Sequence, residues 1–107
     1  VKRFNVEIFG KAKEVLKVPP PPKDVADRIT QMLQFRIRIP DNDPENLYKV
    51  VVKQSGKVIR QEILSQIQSL DYQIPLELSR GGVNHIEVEV THKSGVTAKA
   101  KKVYEVH

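Results

Sequence analysis

From Asp71 to His107 apolar and polar positions alternate with period two, interrupted twice by glycine-bearing turns. Tyr72, Ile74, Leu76 and Leu78 share one parity; Gln73, Pro75 and Glu77 share the other. That is the pattern of a strand with one buried face. Arg80-Gly81-Gly82 ends it, and glycine permits the positive φ of a sharp turn. Ile86, Val88 and Val90 then alternate with Glu87 and Glu89. After Lys93-Ser94-Gly95, Val96, Ala98 and Ala100 alternate with Thr97, Lys99 and Lys101, and Tyr104 and Val106 continue the apolar set. Three strands are predicted.

Parity fixes the pairing of the last two. Directly opposed residues share a face, so the two apolar sets must oppose each other. A three-residue loop, Lys93 to Gly95, achieves this, with Gly95 in the left-handed region. His92 then faces Val96, Val90 faces Ala98, and Val88 faces Ala100. The same register sets Glu89 opposite Lys99 and Glu87 opposite Lys101, on the solvent face.

Earlier in the chain the pattern is less even. Phe4, Val6 and Ile8 alternate; Gly10 interrupts; Ala12, Leu16 and Val18 continue on the same parity. This predicts one long strand kinked or bulged at Gly10, or a two-strand hairpin. The run Pro19–Pro22 favours an extended polyproline segment and excludes a central strand. It reads as a stiff connector, although short proline runs also serve as ligands for proline-recognising domains. Between Asp24 and Gln34, Val25, Ile29, Met32 and Leu33 lie at helical spacing, whereas Phe35, Ile37 and Ile39 alternate. A strand is expected from about Gln31 to Ile39, preceded by a turn or one helical turn. Pro40-Asp41-Asn42-Asp43-Pro44 is a turn cluster. Tyr48, Val50 and Val52 predict the next strand. Gln54-Ser55-Gly56 repeats the x-Ser-Gly turn and leads a hairpin into Val58 and Ile59. From Gln61 to Leu70 a helical turn and an irregular strand both fit.

A strand ending in leucine, a glycine turn, N-x-I-x-V-x-V-x-x-x-x-G and a final alternating strand resembles the C-terminal half of bacterial immunoglobulin-like and fibronectin type III-like modules. Leu76, Leu78, Gly82, Asn84, Ile86, Val88, Val90, Gly95 and Val96 carry the resemblance. It implies an all-β fold, an immunoglobulin-like β-sandwich of about seven antiparallel strands, within a larger secreted protein. It implies no catalytic residues. On this reading residues 1–18 are a basic strand segment, 19–23 the proline connector, and 24–107 the sandwich domain. Residues 1–18 either end a preceding domain or supply the first strand.

Composition narrows the chemistry. A chain of 107 residues fits one sandwich domain. It has no Cys, which removes disulfides, thiolate metal sites and a cysteine nucleophile. No apolar run approaches the ~20 residues of a membrane-spanning helix, so no membrane insertion is expected. The chain starts at Val1 and reads as a piece of a longer protein, so that any signal peptide or anchor would lie outside it; the resemblance implies an extracytoplasmic location. The net charge is +5, and most of the excess lies in residues 1–23. There Lys2, Arg3, Lys11, Lys13, Lys17 and Lys23 outnumber Glu7 and Glu14.

Candidate sites are few. Arg36, Arg38, Arg60 and Arg80 form a candidate anion-binding surface, without an aromatic nucleic-acid pattern or a glycine-rich phosphate loop. Asp41, Asp43 and Glu45 cluster in a turn that calcium could use, but the EF-hand spacing is absent and a solvated turn is favoured. His85 and His92 stand at odd spacing on one strand, so they face opposite sides and cannot share a metal; His107 is terminal. No catalytic set, metal site or cofactor is expected. The partners expected are other domains of the same larger chain, bound through loops or strand edges, with an anionic polymer or glycan as the alternative.

Overall fold

The computed structural model describes residues 4–17, 28–40, 44–68 and 70–107. Among them are eight strands and no helix. In chain order these are β1 (Asn5–Ile8), β2 (Lys13–Leu16), β3 (Arg28–Arg38), β4 (Leu47–Gln54), β5 (Lys57–Ser65), β6 (Leu70–Ser79), β7 (Val83–His92) and β8 (Thr97–Val106). They form a three-stranded sheet, β1-β3-β6, and a five-stranded sheet, β2-β8-β7-β4-β5. One hydrophobic core lies between the sheets. Leu33, Phe35, Ile37, Ile74, Leu76 and Leu78 enter it from the first sheet. Tyr48, Val50, Val52, Ile86, Val88, Val90, Tyr104 and Val106 enter it from the second. The molecule is a sandwich-like, all-β fold, elongated to 54 × 23 × 19 Å.

The final hairpin has the register that parity requires. Val88 pairs with Ala100, Val90 with Ala98, Glu89 with Lys99 and Glu87 with Lys101. The His92 N–H donates to the Val96 carbonyl and the Gly95 N–H to the His92 carbonyl, closing the three-residue loop with Gly95 at φ +97°. Val88 and Val90 are fully buried, whereas Ala98 and Ala100 are half-buried and Val96 is exposed. The solvent-face charges do not form two separate pairs: the Lys99 ammonium sits 3.8 Å from both Glu87 and Glu89.

Three expectations are corrected, and one open reading, at residues 61–65, is resolved as strand. The strand expected from Gln31 begins at Arg28, and its first half pairs along β6 from Ile29↔Leu78 to Leu33↔Ile74. A partner strand that satisfies the backbone outweighs the helical spacing of Ile29, Met32 and Leu33. Met32 consequently points out and is exposed. Residues 61–65 are strand too, the second half of β5. The pairing is not wholly antiparallel either. At Gly10, φ +88°, the chain leaves the three-stranded sheet, where β1 pairs antiparallel with β3, and joins the five-stranded one, where β2 runs parallel to β8. The break is therefore a switch between sheets rather than a bulge or hairpin. The proline run, residues 24–27 and Asp41 and Asp43 lie outside the described residues.

Two asparagines secure crossings between sheets by imitating backbone. After β6, Asn84 accepts the Ser79 N–H and donates to the carbonyls of Ser79 and Tyr104. After β5, Asn46 accepts the Ile67 N–H at 3.2 Å and donates to the Ile67 carbonyl at 2.6 Å. Each amide supplies both a donor and an acceptor to backbone at its crossing.

Candidate interaction surfaces

Lys102 is the residue on the core face that the pattern does not announce. It shares the parity of Ala98, Ala100 and Tyr104 and is 3% exposed. A buried ammonium is costly unless paired and hydrogen-bonded. Lys102 donates to the Phe9 carbonyl at 2.7 Å and to Glu14 Oε1 at 2.8 Å. Both partners flank the sheet switch. Gly10 lies so close that a Cβ there would stand 2.6 Å from Lys102 Nζ and from Glu14 Oε1. Two demands thus converge on glycine, a positive φ and room for an ion pair. Beside them a cleft of about 250 Å³ is walled by Phe9, Met32, Gln34 and Tyr104. Burial, and secondarily the Glu14 carboxylate, push the Tyr104 phenol up to about 12. With two of its three donors engaged, the ammonium latches the first strands to β8. Sequence reading missed Lys102 because a lysine breaking an apolar parity is indistinguishable from a strand end. The even spacing from Tyr104 and Val106 was the available signal.

The four arginines do not converge on one surface. Arg36 and Arg38 share the outer face of β3, each beside a carboxylate. The Arg36 guanidinium forks onto Asp71 through Nε and Nη2 and lies 5.1 Å from the Phe9 ring centre. This hydrogen-bonded pair lowers the Asp71 carboxyl below its usual range and raises the Arg36 guanidinium. Arg38 Nη2 is 3.7 Å from Glu7. Arg60 belongs to β5 in the other sheet and bonds Glu62 at 2.7 Å. Arg80 lies in the turn after β6, beyond the Arg28↔Ser79 end of β3 and away from Arg36 and Arg38.

His85 is exposed, while His92 is buried with its ring 5.0 Å from Tyr48 and 6.2 Å from Phe4. Its Nδ1 accepts the Ser94 N–H and meets the Ser94 hydroxyl at 2.8 Å, so the imidazole braces the final turn. No group of three or more metal-ligating side chains occurs among the described residues, and they contain no helix long and apolar enough to cross a membrane. All six aromatic rings are buried or half-buried, which leaves no exposed platform for stacking bases or sugars.

The most open feature is the edge strand β5. It pairs with β4 on one side only. Val58, Ile59 and Ile63 are exposed, Ile63 at 68%. The other sheet edges are blunted. β1 and β2 have four residues each, and β6 carries Pro75 in its middle, which cannot donate a ladder hydrogen bond. β5 has nine residues, no proline and one bulge: Val52 opposes Arg60 and Lys53 opposes Val58, leaving Ile59 unmatched. The blurred period from Gln61 onward, which covers the second half of β5, was the sequence signal of this edge, since a strand with neither face fully buried has no parity to keep.

No family model, no curated protein and no solved structure matches this chain.

Proposed function

We propose that this chain is a non-catalytic immunoglobulin-like, fibronectin type III-like module. It would space, orient or dock domains of a larger, exported bacterial protein. The observation that carries the proposal is a closed core bordered by one long open edge, β5. A sealed sandwich of 54 Å length suits a spacer, and an unpaired strand suits docking by strand addition. The sheet order supports the family reading. Apart from β2, the strands fall into a β1-β3-β6 sheet and a β8-β7-β4-β5 sheet, a Greek-key division of seven strands, with β2 as the continuation of a split first strand. Arg36, Arg38 and Arg60, each beside a carboxylate, and aromatic rings that are all buried or half-buried, favour protein contacts over an anionic polymer or glycan.

Titration of the chain with heparin, single-stranded DNA and neutral glycans across salt concentrations tests the proposal. No binding is expected. Binding that weakens steeply with salt would overturn it in favour of an anionic-polymer module. Small-angle scattering of the parent protein with and without this module supplies the positive arm. The envelope should shorten while flanking domains stay folded; unchanged dimensions count against a spacer.

A further inference from the structure

The partner that β5 fits best is a second copy of itself. Around Gln61 the strand reads Val58-Ile59-Arg60-Gln61-Glu62-Ile63-Leu64. It is self-complementary about its centre: apolar, apolar, basic, polar, acidic, apolar, apolar. We propose that two copies pair antiparallel through β5, with the two-fold axis at Gln61. The inference deepens the docking role proposed above and rests on it, because both use the same open edge.

Symmetry and parity leave few registers. A two-fold axis perpendicular to a continuous sheet keeps every side chain on its own face, so the axis must pass through a residue. Centred on Gln61, Arg60 of each copy stands opposite Glu62 of the other, and Ile63 opposite Ile59. Centred on Arg60, that arginine opposes its own copy; centred on Glu62, that glutamate opposes its own copy and Arg60 meets Leu64. Both shifted registers set like charges opposite each other, and only the first matches opposite charges. Arg60 and Glu62 already lie on one face of β5 and bond each other within a copy, so they are positioned to exchange partners. The exposed Ile63 and Ile59 would then be covered. The bulge at Ile59 bends the strand and ends the regular ladder there, so the interface is short and the dimer weak.

Sedimentation equilibrium of the chain over a concentration series tests this, with circular dichroism melts confirming that each variant is folded. The wild type should dimerise, and less so at high salt. R60E and E62R should each weaken dimerisation at least about tenfold, because both place like charges opposite one another. The double variant R60E/E62R should recover it. An equimolar mixture of R60E and E62R should form a heterodimer although neither self-associates. Wild type that stays monomeric at its highest soluble concentration overturns the inference, as does a dimer indifferent to both reversals. Either result strikes self-pairing alone, since the module reading falls instead on salt-dependent polymer binding or an unchanged parent envelope.

Discussion

The two hairpins of the five-stranded sheet carry the same letters and fold differently. In β7–β8 the turn Lys93-Ser94-Gly95 is a three-residue loop with positive φ at Gly95. In β4–β5 the turn is two residues, Ser55 and Gly56, both at positive φ, with Gln54 opposite Lys57. The first hairpin keeps its register over nine residue pairs without a break; the second slips at Ile59 within six residues of the turn. What differs is burial. β7 and β8 each present a row of core residues and are flanked by neighbours, so a one-residue slip would expose the whole row. β5 buries no residue fully and has one neighbour, so a bulge there costs little. Turn letters permit a geometry, and the packed face selects it.

The largest test is a matched pair of substitutions. Val88→Asp sets an unpaired carboxylate in a fully buried site and should cost more than about 4 kcal/mol, abolishing a cooperative denaturant transition. Val58→Asp on the exposed edge should change stability by less than about 0.5 kcal/mol. Similar losses at both sites would erase the contrast between the hairpins.

The second test concerns the charge that β8 does bury. Glu14→Ala leaves the Lys102 ammonium with the Phe9 carbonyl alone and should cost about 3 kcal/mol in urea unfolding. Lys102→Met leaves a carboxylate that is 32% exposed and can rehydrate, so it should cost clearly less. The reverse order would show that the lysine acts by packing rather than by charge.

The turns give the third test. Gly95→Val forces a β-branched residue into the left-handed region and should cost about 1–2 kcal/mol by thermal melt. Ser55→Asn should instead stabilise, by up to about 1 kcal/mol, because asparagine tolerates the φ of 51° better and suits a two-residue turn. If Ser55→Asn does nothing, the two-residue turn is not setting the geometry of the edge hairpin.

Alkali should separate the regions as well. The Tyr104 phenol is held up at about 12, from an ordinary 10, chiefly by burial. A raised phenol favours the neutral form in the fold. Its stabilisation is complete below pH 10 and is lost as pH rises toward 12. A stability profile across that window should fall, and Tyr104→Phe should flatten it. The smallest effect belongs to the solvent face: Lys99→Ala, though near both Glu87 and Glu89, should cost under about 1 kcal/mol.

The contrast extends to what could be read in advance. The strands from Asp71 onward, their turn and register were legible because one buried face imposes a period of two. The first half of β3 was not, since Ile29, Met32 and Leu33 fit a helix equally well until β6 supplies a partner. Among the candidate sites, the opposite faces of His85 and His92 followed from their spacing. The separation of Arg36 and Arg38 from Arg60 did not, because it depends on which sheet each strand joins.

The sequence by itself determined an all-β chain, the last hairpin residue by residue, and the breaks at Gly10 and Gly81. Periodicity, turn chemistry and φ preference act within a few residues, and one strand's pattern carries them. Tertiary structure alone decided that β2 leaves the first sheet to run parallel to β8, that Lys102 finds Glu14, and that β5 is left as the open edge. Each of these depends on which distant segment lies alongside. A separation of 88 residues, as between Glu14 and Lys102, leaves no trace in local pattern.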